Sequence, residues 1–90
     1  MDAALATHEQ SVAIARTLED PRLLANALNN LAHTQAQLEY LDAAETALQE
    51  SVQLLATLRE GLTDADKVAV FDTQIYTYNL LMQVQVAQGG

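Results

Sequence analysis

Apolar side chains recur every three or four residues along most of this chain, the period of an α-helix with one buried face. Four such stretches stand between short breaks. The first covers residues 2–18, with Leu5, Val12, Ala15 and Leu18 near one stripe. Glu19, Asp20 and Pro21 end it. Asp20 suits the cap of the next helix, and Pro21 suits its first turn, where no backbone N–H is needed. The second stretch, 21–38, carries Leu24, Leu28, Leu31 and Leu38 as its seam, with Ala27 and Ala32 as small contacts. A turn at Glu39, Tyr40 and Leu41 leads to the third, 42–60, where Asp42 and Glu45 fit a capping box and Ala44, Leu48, Val52, Leu55 and Leu58 are expected inside. Gly61 suits a helix stop. Thr63 followed by Asp66 is a weak capping signature for the fourth stretch, 64–88. That helix is expected to turn Val68, Phe71, Ile75, Tyr78, Leu81 and Met82 inward and to end at Gly89 and Gly90. The pattern predicts an all-α fold of antiparallel helical hairpins joined by short connections.

The stretches are related to one another. Asp42, Ala43, Ala44, Ser51, Val52, Thr57 and Leu58 repeat Asp2, Ala3, Ala4, Ser11, Val12, Thr17 and Leu18, seven identities in 17 positions at an offset of 40. Unrelated Ala- and Leu-rich helices would share roughly one or two by chance. Asn79, Leu81 and Gln85 likewise repeat Asn29, Leu31 and Gln35 at an offset of 50, the extra residues falling around 61–72. The order is outer helix, inner helix, outer helix, inner helix. Such a period predicts a helical solenoid, an architecture that binds partners along its length. Residues 1–90 then form a single segment: the second helix of one repeat, one full repeat, and the first helix of the next.

Charge and composition narrow the partners. Twelve acidic residues against four basic ones leave a net charge of −8. Arg16, Arg22, Arg59 and Lys67 are scattered, so neither a nucleic-acid backbone nor an anionic membrane is favoured. The acidic surface reads as a solvated outer face, or as a preference for a basic partner. No cysteine is present, so disulfide and thiolate chemistry are unavailable. The N-terminus shows no basic segment followed by an apolar run, and the apolar stretches are broken by polar residues short of membrane-spanning length. A cytoplasmic location is expected.

Candidate chemistry is sparse. His8 and His33 lie on different helices without a carboxylate on a matching face, so no metal site is expected. His8 aligns with Leu48 in the internal repeat and is expected between helices. Asp64, Asp66 and Asp72 around the start of the fourth helix complement its dipole and need no catalytic explanation. No phosphate-binding loop, nucleophile elbow or zinc-ligand spacing occurs. No catalytic residue and no cofactor is expected. Asn26, Asn29, His33 and Gln37 recur at helical spacing on the second helix, and Tyr76, Asn79 and Gln83 hold the corresponding places on the fourth. Such amide-rich stripes suit recognition of an extended peptide; they equally describe an ordinary exposed helix face.

Leu28, Leu31 and Ala32, followed by Ala44, Leu48 and Ser51, resemble the tetratricopeptide repeat, in which two antiparallel helices make each unit. Two positions depart from it: Gln35 stands where a large aromatic is usual, and Glu39 where a glycine is usual at the turn. The 40-residue period, with Leu28-Asn29-Asn30-Leu31-Ala32, looks like the extended repeats of kinesin light chains and many bacterial scaffolds. That resemblance implies a right-handed α-solenoid in which Asn29, Asn30 and Asn26 hydrogen-bond a bound peptide's backbone. Leu58-Arg59-Glu60-Gly61-Leu62, Asp66-Lys67-Val68, Phe71-Asp72-Thr73-Gln74 and Thr77-Tyr78-Asn79-Leu80-Leu81 resemble the repeat immediately upstream of CHAT domains, which are caspase-like cysteine peptidases. The peptidase would lie downstream, and without cysteine no Cys–His dyad can form here. The implied role is a non-catalytic interaction segment that holds a protein or peptide on its concave face through Asn26, Asn29, Asn30, His33, Gln37, Tyr76, Asn79 and Gln83. The alternative is a structural spacer or oligomerisation module, self-associating through exposed repeat ends.

Overall fold

A computed structural model describes the backbone of residues 3–61 and 64–89, and the side chains of 3–61 and 67–89. Four helices account for it: α1 (Ala3–Leu18), α2 (Pro21–Gln37), α3 (Leu41–Glu60) and α4 (Asp64–Gly89). No strand occurs among the described residues. Packing is serial: α1 lies on α2, α2 on α3, α3 on α4, and α2 touches α4 lightly. Among the described residues α1 and α4 make no contact, so the helices do not close into a ring. The Cα atoms fill a slab of 40 × 30 × 14 Å.

The first two turns are built alike. Glu19 N–H donates to Arg16 O and Asp20 N–H to Ala15 O, at 3.2 and 3.4 Å. Glu39 N–H donates to Ala36 O and Tyr40 N–H to Gln35 O, at 3.1 and 2.8 Å. Both are Schellman endings, which place the residue after the C-cap in the left-handed region. That residue is Glu19 in one (φ 54°) and Glu39 in the other (φ 66°). Glycine would reach this conformation without the Cβ penalty that glutamate carries. At the first turn Asp20 Oδ1 then accepts from Arg22 N–H (3.1 Å) and Leu23 N–H (3.2 Å), capping α2 ahead of Pro21 as the sequence predicts. The second turn differs from expectation. The N-cap of α3 is Tyr40, without a side-chain bond, and Asp42 already lies in the first turn. The compact Schellman turn starts α3 one residue early, which leaves no place for a box of Asp42 and Glu45. Gly61 is the C-cap of α3. Thr63 and the side chain of Asp66 lie outside the described residues.

The main core joins Val12 and Ala15 of α1, Leu24, Ala27, Leu28, Leu31 and Ala32 of α2, Ala44, Ala47 and Leu48 of α3, and Leu80 and Val84 of α4. A smaller cluster joins Ala25, Leu55 and Val70. Most expected core positions on α1 to α3 are inside, with Leu5, Leu38, Val52 and Leu58 half-buried, but Leu18 is 62 % exposed. The expectation for α4 is overturned. Val68, Phe71, Ile75, Tyr78 and Met82 are all exposed, and Leu81 is only half-buried. Val70, Gln74, Thr77, Leu80 and Val84 face inward instead. Thr77 hides its hydroxyl by donating to Thr73 O at 2.8 Å, and Gln74 accepts from Arg59 Nη1 at 3.1 Å. One bond within the helix and one from α3 let these polar residues occupy a buried face at little cost.

Polar links tie the helices across their rims. Arg16 of α1 grips Glu50 of α3 with two hydrogen bonds of 2.6 and 2.7 Å. Arg59 stacks over the Phe71 ring at 5.1 Å, and Gln88 Nε2 donates to Asp42 Oδ1 at 2.9 Å. Gln35, at the position where the resembled repeat has an aromatic, keeps a buried Oε1 with no hydrogen-bond partner among the described residues. Its echo Gln85 donates to Glu45 at 3.5 Å; the residue matching Glu45 on α1 is Leu5, which offers no side-chain polar atom.

Replacing Glu39 by Gly, or Glu19 by Gly, should raise stability by about 0.5–1 kcal/mol each, because the left-handed strain exceeds glycine's extra unfolded-state entropy. Thermal melts should rise by about 4–8 °C per kcal/mol in a chain of this size. An unchanged or lower Tm would count against the turn geometry.

The Arg16 hydrogen bonds, more than the charge itself, hold the Glu50 carboxyl below its ordinary 4.5, while partial burial opposes them. A depressed carboxyl stabilises the fold above its unfolded pKa and loses that stabilisation as pH falls through the folded one. With Arg16 half exposed, the pair is worth at most about 1 kcal/mol. Urea unfolding of wild type and Glu50→Gln should therefore differ at neutral pH and converge in acid below 4.5; a gap that persists in acid would show a different origin.

Candidate functional site: the cleft between α2 and α4

Both faces of α2 are occupied. Helical geometry puts Leu24, Ala27, Leu31 and Thr34 on one side and Ala25, Asn29, Ala32 and Ala36 on another. Ser51 Oγ of α3 donates to Asn29 Oδ1 at 2.8 Å and lies 3.3 Å from Ala25 O, which fixes the second side against α3. The narrow stripe left over carries Asn26, Asn30, His33 and Gln37, all exposed.

Where α2 and α4 run side by side, Asn26, Asn29, Asn30, Asp72, Thr73 and Tyr76 line an open cleft of about 550 Å³. Four of these belong to the expected set. Asn26, Asn30 and Tyr76 offer free polar edges, and the Tyr76 ring, half exposed, adds an apolar wall. Asn29 lies at the floor with 4 % exposure, its oxygen engaged by Ser51. His33, Gln37, Asn79 and Gln83 are exposed but do not line the cleft. Asn79 shares its side of α4 with Ile75, Met82 and Val86, away from α2.

Asp72 and Thr73 were not expected here. The sequence groups Asp72 with the acidic residues at the start of α4, but it sits farther along the helix and lines the cleft with Asn26, Asn29 and Asn30 of α2. The signal was present in the sequence: Asp72 lies four residues before Tyr76, on the same stripe. Its carboxylate faces a cleft otherwise lined by neutral groups. The arrangement can accept N–H donors from an extended backbone at the amides and a cationic side chain at Asp72.

Nothing in the cleft pairs a nucleophile with a base. His8 is half-buried on α1 and His33 exposed on α2. Among the described residues no three His, Asp or Glu side chains converge as metal ligands would, and no helix is long and apolar enough to cross a membrane.

Asn29→Ala should act on stability: it deletes the nearer acceptor of the buried Ser51 hydroxyl, leaving Ala25 O at 3.3 Å, and should cost about 1 kcal/mol. Asn26→Ala and Asn30→Ala, on the exposed rim, should stay within about 0.5 kcal/mol of wild type. Chemical denaturation of the three variants checks the division, and equal effects would contradict it.

Compared with known proteins, the chain matches no family model, no curated protein and no solved structure.

Proposed function

We propose that this chain is a non-catalytic protein-interaction segment of the tetratricopeptide type, with the extended 40-residue period, that holds an extended peptide segment of a partner along the α2–α4 side. In this reading α1 and α3 are outer helices, α2 and α4 inner ones, and the stack is a piece of a right-handed α-solenoid from a protein of the tetratricopeptide–CHAT kind. The observation that carries the reading is the cleft itself. Two helices related by the internal repeat lie side by side and bring Asn26, Asn30 and Tyr76 together with Asp72. Serial packing without closure supports it, because stacked hairpins make contacts only with their neighbours.

Recognition would rest on amides satisfying the backbone of the bound segment, on the Tyr76 ring excluding water from it, and on Asp72 selecting a basic side chain. Rigid helices suit this role, since they add little ordering cost on binding. A chain of net charge −8 would also steer a basic segment toward the cleft. A second reading, a spacer that only stacks neighbouring repeats, is favoured by one observation: the amide oxygen of Asn29 is engaged by Ser51 of α3.

Peptides selected from a displayed library against the wild-type chain separate the two. The interaction reading expects enrichment of extended sequences with Lys or Arg, and at least tenfold weaker rebinding, about 1.4 kcal/mol, to the Asn26→Ala/Asn30→Ala/Tyr76→Ala variant. Rebinding to Asp72→Asn should lose its preference for the basic residue. Equal binding to wild type and triple variant favours the spacer.

A further inference from the structure

A serine is buried where packing asks for none. Ser51 is completely buried, as are Ala25, Ala32 and Ala44 on the same pair of helices. Alanine would serve the close approach as well and would spare the chain a hidden hydroxyl, which costs free energy unless bonded. Ser51 Oγ donates to Asn29 Oδ1 at 2.8 Å, with Ala25 O farther off at 3.3 Å. Ser51 does not line the cleft between α2 and α4, but Asn29 does.

An amide has one accepting and one donating edge, and its hydrogen bonds decide which way each faces. In Asn29 the accepting edge is held from α3 by Ser51. Nδ2 makes no hydrogen bond among the described residues, yet it is not sealed in: Gln35 Oε1 is the only fully enclosed side-chain atom there without a partner. The amino edge of Asn29, in a residue 4 % exposed, therefore keeps its small opening on the cleft that the residue lines. Asn26 and Asn30 have no such anchor, being exposed, so either edge of each can turn to a ligand. Asp72 offers acceptors only, and Thr73 spends its proton on Ala69 O at 3.3 Å.

We propose that Ser51 is a positioning residue for recognition: it turns the Asn29 amide so that Nδ2 donates to the carbonyl oxygen of a bound backbone, beside the Asp72 carboxylate that takes a basic side chain. The inference rests on the peptide reading above and adds the polarity of the cleft floor. A fixed donor and a fixed acceptor together ask for a neutral carbonyl near a cation, which an internal segment containing Lys or Arg provides. A free chain terminus would bring its carboxylate against Asp72 and a chain of net charge −8. A donor held in place before binding loses little freedom on binding, so it contributes more than a mobile rim amide. Stability supplies no rival reason for the pair, since apolar groups of the same shape in both places are nearly neutral.

NMR titration of the isotope-labelled chain with acetyl-Gly-Lys-Gly-amide, to millimolar concentration, tests this. In wild type the side-chain amide signals of Asn29 should shift together with those of Asn26 and the Tyr76 ring. Asn29→Asp keeps an acceptor for Ser51, removes the donor and adds a negative charge. Charge alone would tighten binding of the lysine probe, whereas loss of the donor should weaken it about tenfold. Ser51→Ala should weaken binding about three- to tenfold and move the Asn29 side-chain signals toward those of exposed Asn26. Ser51→Ala/Asn29→Leu should melt near wild type and bind no better than Ser51→Ala, which separates recognition from folding. Unchanged or tighter binding by Asn29→Asp, or unchanged binding by Ser51→Ala of native helicity, overturns the inference. Where Asn29→Asp does not fold, the apolar pair decides, and binding equal to wild type overturns it. Shifts at Asn26 and Tyr76 with Asn29 unmoved overturn this inference alone; no shift at any cleft residue overturns the peptide reading as well.

Discussion

The crossing of α2 and α3 is made from side chains with almost no bulk. Ala25, Ala32, Ala44 and Ser51 are all completely buried, and larger Leu28, Leu48 and Leu55 fill the space beside them. Small residues let two helices approach toward the near end of the roughly 8–10 Å range of packed axes, where a short hydroxyl can reach an amide on the facing helix. The bond from Ser51 to Asn29 is the product. Holding α3 at this distance sets where α4 lands after its own turn, and so brings α4 alongside α2 at the cleft. A larger residue at Ala44 or Ala32 would move α3, and with it α4, since interiors of this density tolerate little overpacking.

The first three helices were legible in the sequence because burial, capping and periodicity agree there. Leu24, Leu28 and Leu31 define a face on spacing alone, and Asp20 with Pro21 marks a start by backbone chemistry that needs no tertiary context. The α2–α3 turn was read less well. Asp42 and Glu45 have the right spacing for a capping box, but the Schellman bonds of Glu39 and Tyr40 supply the same backbone needs first. Spacing cannot show which of two satisfactory arrangements the chain takes.

The fourth helix shows a different limit. Its strongest apolar stripe, Val68, Phe71, Ile75, Tyr78 and Met82, looks like a core face and is open to solvent. Its weaker face, with Gln74 and Thr77, is buried against α3. Periodicity reports that a face is apolar, not which neighbour covers it. The internal offset of 50 residues held better information: Gln74, Thr77 and Val84 match Leu24, Ala27 and Thr34, which are buried on the first side of α2. The cleft was likewise half legible. Asn26, Asn30 and Tyr76 follow from helical spacing, whereas Asp72 and Thr73 enter through the placement of one helix beside another.

Serial packing is the central claim, and a distance between the first and last helices tests it most directly. The chain has no cysteine, so Ala13→Cys and Gln83→Cys, both exposed, can carry a pair of spin labels without competition. Pulsed dipolar spectroscopy on labelled protein diluted into unlabelled protein reads the separation within one molecule. Helices stacked in order should give one distribution centred well beyond the roughly 8–10 Å spacing of helices in direct contact. A distribution collapsed to the range of directly packed helices would mean that α1 and α4 close on each other, and serial packing would not survive that result.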